Sequence, residues 1–216
     1  YYFILLFVLV SVISCNNVID FESDNEYIEF KKGILYFKGD VYNGEITYKF
    51  DGGGIKEKFN YIEGKLNGPF VKYYEIGNIK LKGNYIKNGE YDGTIESYSD
   101  NGTLVGVYNY SSGKLGGLFK EFYDDGKLHV KTKFTNNEYD GFYEEYYQNG
   151  QLKIKSKRIG QWNEEEYIEV LTGNYWLYTY FDGDFELFYK NGNIKQKGNL
   201  IEGKRIGLWE EFFEDG

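Results

Sequence analysis

The sequence predicts an all-β chain of tandem antiparallel β-hairpin repeats, about 24 residues each, forming an elongated twisted single-layer sheet. Three observations predict it: glycines that recur at a fixed spacing, large apolar residues at fixed offsets from them, and a composition of 24 Tyr, 17 Phe and 28 Gly with one Pro and no Met. Aromatic rings suit a pleated, half-wet surface, and Gly supplies the positive φ of tight turns. A compact helical core would draw on Leu, Ala and Met instead.

At the N-terminus, Tyr1 to Ser14 (YYFILLFVLVSVIS) is almost wholly apolar and stops at Cys15. The run suits the apolar stretch of a signal peptide and is short for a bilayer span, which needs roughly 20 residues. No Met or basic residue precedes it, so the sequence is expected to extend before Tyr1. Val12-Ile13-Ser14-Cys15 resembles the bacterial lipoprotein cleavage box. That resemblance implies a signal peptide over 1–14, lipid attachment at Cys15, a short tether over 15–23, and an exported chain anchored to a bacterial membrane. It also accounts for a lone Cys, and several acyl chains at roughly 0.8 kcal/mol per buried CH₂ would anchor firmly.

The repeat array is expected over 24–216, in about nine units. Gly44, Gly68, Gly93, Gly117, Gly141, Gly183 and Gly207 start units, and a second Gly follows nine residues later. Two residues after the first Gly come Ile46, Phe70, Ile95, Phe119, Tyr143, Phe185 and Trp209, and five and six after it come aromatic pairs such as Tyr146-Tyr147. Eleven after it comes an aliphatic, from Ile55 to Ile194. The long interval from Gly141 to Gly183 is expected to hold two shortened units, because Lys157 to Trp162 echoes Lys204 to Trp209. A degenerate first unit is read before Gly44, with Gly33 as its turn and Leu35 as its aliphatic, and the last unit is expected to continue past Gly216.

Within a unit, rings at two, five and six after Gly also fit a helix template. The segment between glycines is too short to offset helix nucleation, and Tyr and Phe are poor helix formers. Leu128, Val130, Thr132 and Phe134 alternate as a strand does. Asn101-Gly102, Asp125-Gly126, Asn149-Gly150 and Asn191-Gly192 are expected as hairpin turns with both turn residues at positive φ. Asn67-Gly68, Asp92-Gly93 and Asp140-Gly141 are expected to turn the chain into the next unit. Stability should then sum from neighbour contacts along the array, with cross-strand pairs worth roughly 0.2 to 1 kcal/mol each.

The unit from Asp140 to Leu152, with its Asp-Gly, aromatic pair and Asn-Gly-x-Leu, resembles the bacterial variant of the MORN repeat, found in proteins described as antitoxin components of toxin-antitoxin systems. The resemblance runs through nearly all of the chain after residue 24. It implies serial β-hairpins and a protein or membrane interaction surface.

Chemistry is sparse. The net charge of −9 repels a phosphate backbone, so nucleic acid is not an expected partner. One Cys and one His supply neither a zinc site nor a Cys-His dyad, and His129 reads as a solvent-facing strand residue. Glu144-Glu145 and Glu210-Glu211 recur at one repeat position, as a solvated face does; Lys120 and Glu121 are placed with them. Asp182-Gly183-Asp184 lacks the further ligands of a calcium loop, so neither a metal nor a cofactor is expected. The distinctive stretch is Trp162 to Phe181, where Trp162, Tyr175, Trp176, Tyr178 and Tyr180 beside Glu164-Glu165-Glu166 form the candidate binding surface. The chain is therefore read as a non-enzymatic, lipid-anchored scaffold with a protein partner. An antitoxin-like component and a glycan or cell-wall binding module are the alternatives.

Overall fold

The computed structural model describes residues 18–87, 89–160 and 181–216. Cys15, the apolar segment 1–14, and the candidates Trp162, Tyr175, Trp176, Tyr178 and Tyr180 lie outside the described residues.

A small N-terminal unit comes first. Strand β1 (Val18–Asp20) leads into helix α1 (Phe21–Asp24), capped by the Asp20 carboxylate accepting from the Glu22 N–H. Strands β2 (Ile28–Lys31), β3 (Ile34–Phe37) and β4 (Asp40–Val41) then form a separate three-stranded sheet. Two expectations change here. Part of the expected tether is strand β1, which pairs in parallel with the first strand of the array. The degenerate first unit does turn at Gly33, but its strands leave the ladder and pack over its end, burying Leu35 with Ile19, Tyr42, Ile46 and Tyr61.

The array is a long antiparallel sheet of successive hairpins, not closed into a barrel. Its strands are β5 (Gly44–Lys49), β6 (Ile55–Ile62), β7 (Lys65–Tyr73), β8 (Ile79–Ile86), β9 (Glu90–Tyr98), β10 (Leu104–Ser111), β11 (Lys114–Phe122), β12 (Leu128–Thr135), β13 (Glu138–Tyr139), β14 (Gly141–Tyr146), β15 (Leu152–Arg158), β16 (Phe181–Phe188), β17 (Ile194–Ile201) and β18 (Lys204–Glu211). Each pairs with its neighbours in chain order, except that β13 is a short addition to β12 beside β14.

Of the two shortened units expected between Gly141 and Gly183, the second, starting at Gly160, falls on 161–180, outside the described residues. Strand β15 pairs directly with β16, Ile154 opposite Leu187 and Arg158 opposite Phe181. Side-chain bonds between units agree: Tyr123 Oη donates to the Tyr146 carbonyl 23 residues on, whereas Tyr147 Oη reaches the Phe188 carbonyl 41 residues on.

The turns are also redistributed. At Asn101-Gly102 and its equivalents only Gly takes positive φ, and the Asn101 side chain accepts from the Thr103 N–H at 2.9 Å. The tight turns with both residues at positive φ fall elsewhere, at Glu63-Gly64, Ser112-Gly113, Asn136-Asn137 and Glu202-Gly203. Such turns match the right-handed twist of a hairpin. Asn67-Gly68 and Asp92-Gly93, expected there, lie inside strands instead, on bulges where the register shifts by two, and Asp140-Gly141 lies where β13 gives way to β14. Gly93 shows why Gly is required: a Cβ would meet nothing within 4 Å, so its φ of 79° rather than crowding excludes other residues.

The residue before that Gly has a second duty. Asn43 and Asp92 accept from the backbone N–H of Glu63 and Ser112, each 20 residues ahead at the next tight turn. The Gly64 and Gly113 N–H groups donate to the carbonyls of Tyr42 and Tyr91. An aromatic-Asx-Gly triplet thus seats the next turn, which explains how Glu63 and Ser112 tolerate left-handed backbone.

Core side chains sit two residues after each bulge Gly. Ile46, Phe70, Ile95, Phe119, Tyr143 and Phe185 are all at most 5 % exposed. Their neighbours across the strand are often small: Gly83 beside Phe70, Thr132 beside Phe119, Ser156 between Tyr143 and Phe185, and Gly198 beside Phe185. Large against small lets one layer interdigitate to near-complete burial.

Candidate interaction surface

Period-two alternation sends neighbouring residues of a strand to opposite faces. The face bearing Phe70, Phe119 and Phe185 is the inner face. The other, outer face carries the third residue after each bulge Gly, in a cross-strand row that runs Lys82, Glu96, Val107, Lys120, Lys131, Glu144, Lys155, Glu186, Lys197, Glu210. Ion pairs join Lys82 to Glu96 at 2.7 Å, Lys131 to Glu144 at 3.2 Å and Lys197 to Glu210 at 3.0 Å. The fifth residue after Gly shares this face: Tyr98 and Tyr146 donate their hydroxyls to Glu96 and Glu144. Hydrogen bonds from Lys82 and Tyr98 hold Glu96 below the usual carboxylate range.

The sixth residue builds one long edge. Tyr74, Tyr123, Tyr147 and Tyr189 donate to the carbonyls of Tyr98, Tyr146, Phe188 and Phe212, each bond linking one unit to the next. A cation lies against three of these rings: Lys80 at 5.5 Å from the Tyr74 ring, Lys153 at 5.9 Å from Tyr147, and Lys195 at 5.5 Å from Tyr189. His129 holds the same repeat position, its ring 4.3 Å from that of Tyr123. It is therefore not solvent-facing: its side chain is 18 % exposed, and Nε2 lies 3.8 Å from Glu145 Oε1.

Glu145 overturns the expected solvated pair. It is 7 % exposed on the inner face, bonded to Lys153, whereas Glu144 lies on the outer face. Burial raises the Glu145 pKa, but the neighbouring His129 and the bond from Lys153 outweigh it and leave a net lowering. Glu121 also lies on the inner face, two strands from Glu145 across Val130. Burial pushes it up to about 7, against the pull of His129. Recurrence marked these carboxylates as equivalent without revealing which face they take.

Among the described residues, no group of His, Cys, Asp or Glu could hold a metal ion, and no helix is long and apolar enough to cross a membrane. An open cleft of about 600 Å³ lies over Glu57, Lys72, Tyr73, Tyr74, Leu81 and Tyr98. The arrangement offers a lattice of charges and rings at strand spacing, suited to binding along the sheet.

A family model described as a MORN repeat variant matches residues 115–136, 139–157 and 181–201. The matches stop at the end of β15 and resume at the start of β16, where the ladder resumes. No curated protein matches the chain. Three of its hairpins are thus similar to the MORN repeat variant, a non-enzymatic module that generally mediates protein or membrane interaction.

Proposed function

We infer that the chain is an exported, lipid-anchored scaffold that presents its repeat faces to a protein partner at the bacterial envelope. The observation that carries this reading is the two-sided lattice, whose Lys/Glu row and tyrosine edge recur from unit to unit. The apolar run ending at Cys15 supports the anchor. Strand β1 begins at Val18 and docks on β5, so acyl chains on Cys15 would hold the array's first strands within about 10 Å of the bilayer surface.

Two measurements on the full-length protein in its native cells test this. Labelled fatty acid should enter the wild type and not Cys15→Ala, which should leave the membrane fraction. Crosslinking with mass spectrometry should recover a discrete protein partner that is lost with the anchor. An unacylated wild type would refute the anchor. Capture of a cytoplasmic toxin equally well by Cys15→Ala would replace the scaffold with an antitoxin-like role.

A further inference from the structure

The outer face breaks its charge balance in one place. Across β11, β12, β14 and β15 five lysines, Lys120, Lys131, Lys133, Lys155 and Lys157, share the face with a single strand carboxylate, Glu144. Lys131 pairs with Glu144, Lys133 with Asp140 at the bulge, and Lys155 with Glu186 of β16 at 3.8 Å. Lys120 and Lys157 make no ion pair among the described residues. Lys120 also stands directly opposite Lys131, a like-charge pair that costs stability.

Two apolar side chains stand among these cations. Leu118, 44 % exposed, lies opposite Lys133, and Phe142, 42 % exposed, lies opposite Lys157 with the Lys131 ammonium 4.9 Å from its ring. Their position, one residue after the bulge Gly, is occupied by Glu45, Pro69, Thr94 and Asp184 in other units and by the exposed Leu208 in the last; only at Leu118 and Phe142 do lysines lie directly opposite. The patch is a local inversion of sign in a chain of net charge −9.

We propose that this face of β11 to β15 docks a short acidic segment of a partner protein, with Leu118 and Phe142 receiving an apolar side chain and the lysines its carboxylates. The proposal rests on reading the array as an interaction module and names the surface and the partner's chemistry. Four strands at about 4.8 Å spacing make the patch roughly 15 Å wide, the reach of four or five extended residues. Glu96 on one side, and Asp182, directly opposite Lys157, with Glu186 on the other, bound it with the opposite sign. An extended anionic surface, bilayer or nucleic acid, would meet those carboxylates as well; a short segment would not.

The test is fluorescence anisotropy with the full chain and a labelled peptide, Glu-Glu-Phe-Glu-Leu-Glu-Glu, at about 50 and 150 mM salt. The double reversal Lys120→Glu/Lys157→Glu should weaken binding about tenfold or more, and Leu118→Ser/Phe142→Ser several-fold. Lys65→Glu/Lys204→Glu, the same charge change on exposed residues outside the patch, should leave binding within about twofold. Circular dichroism checks that each variant is folded. No binding by the folded wild type, or equal loss in both double reversals, would overturn the proposal. Phosphatidylglycerol vesicles that bind more tightly than the peptide, with the same dependence on Lys120 and Lys157, would overturn it in favour of a lipid surface. A cellular partner still captured by Lys120→Glu/Lys157→Glu would remove this patch while leaving the interaction module intact.

Discussion

Replacing Glu121 with Gln should stabilise the protein at neutral and alkaline pH and abolish a pH dependence the wild type carries. Glu121 lies on the inner face beside Val130, and its pKa is raised from 4.5 to about 7 because burial disfavours the charged form. An acid with a raised folded pKa keeps its proton longer in the folded chain than in the unfolded one. Its contribution is intact below about 4.5, declines as pH climbs to about 7, and stays at its lowest above that. At 1.36 kcal/mol per pKa unit the full cost is about 3 kcal/mol, equivalent to roughly 6–12 °C in Tm for a chain of this size. Gln keeps the shape of the protonated acid and never ionises. Urea unfolding followed by circular dichroism at pH 4.5, 6 and 8 should show equal stability at the lowest pH and a widening advantage for Glu121→Gln above it. Glu145 does not confuse the measurement, since its pKa is net lowered and its contribution is lost only as pH falls below the ordinary carboxylate range. A variant no more stable than wild type at pH 8, or one retaining the wild-type slope between pH 5 and 7, would refute the burial argument.

Two glycines should respond differently to substitution. Gly93 has positive φ and open space, so Gly93→Ala should cost about 1–2 kcal/mol and Gly93→Asn less. At Gly83 a Cβ would lie 2.2 Å from Ile95 Cδ1, so cost should rise with side-chain size, which calorimetry on Ala and Asn variants can separate. Tyr147→Phe should lose about 0.5–1.5 kcal/mol through its bond to the Phe188 carbonyl, visible as faster hydrogen exchange at the β15–β16 junction. Ser99 stands where Tyr74, Tyr123 and Tyr147 bridge units, and Ser99→Tyr should raise Tm by adding a bridge toward Phe122; an unchanged or lower Tm would show that its bonds to Asn101 and Thr103 matter more. Phe185→Ala, at a position 0 % exposed, should cost about 3–5 kcal/mol in urea unfolding.

By itself the sequence determined the hairpin repeat, its period of about 24 residues, and the recurring large apolar positions from Ile46 to Phe185, because each follows from local spacing repeated often enough to exclude chance; their burial is read from the structure. It also located the in-unit turns at Asn101-Gly102 and its equivalents, where Gly and the Asn side chain act within four residues. Tertiary structure alone decided what neighbouring units do to one another. Asn43 and Asp92 bind turns 20 residues ahead, so Asx-Gly dipeptides that resemble turns belong to bulges, while Glu63 and Ser112, poor candidates by propensity, form the turns. The same holds for the direct pairing of β15 with β16, for the partial burial of Glu121 and His129 and for the burial of Glu145, since strand partnership and face depend on register. A one-residue shift inverts every side chain of a strand, and the bulges that set register here are held by contacts between units rather than by any local pattern.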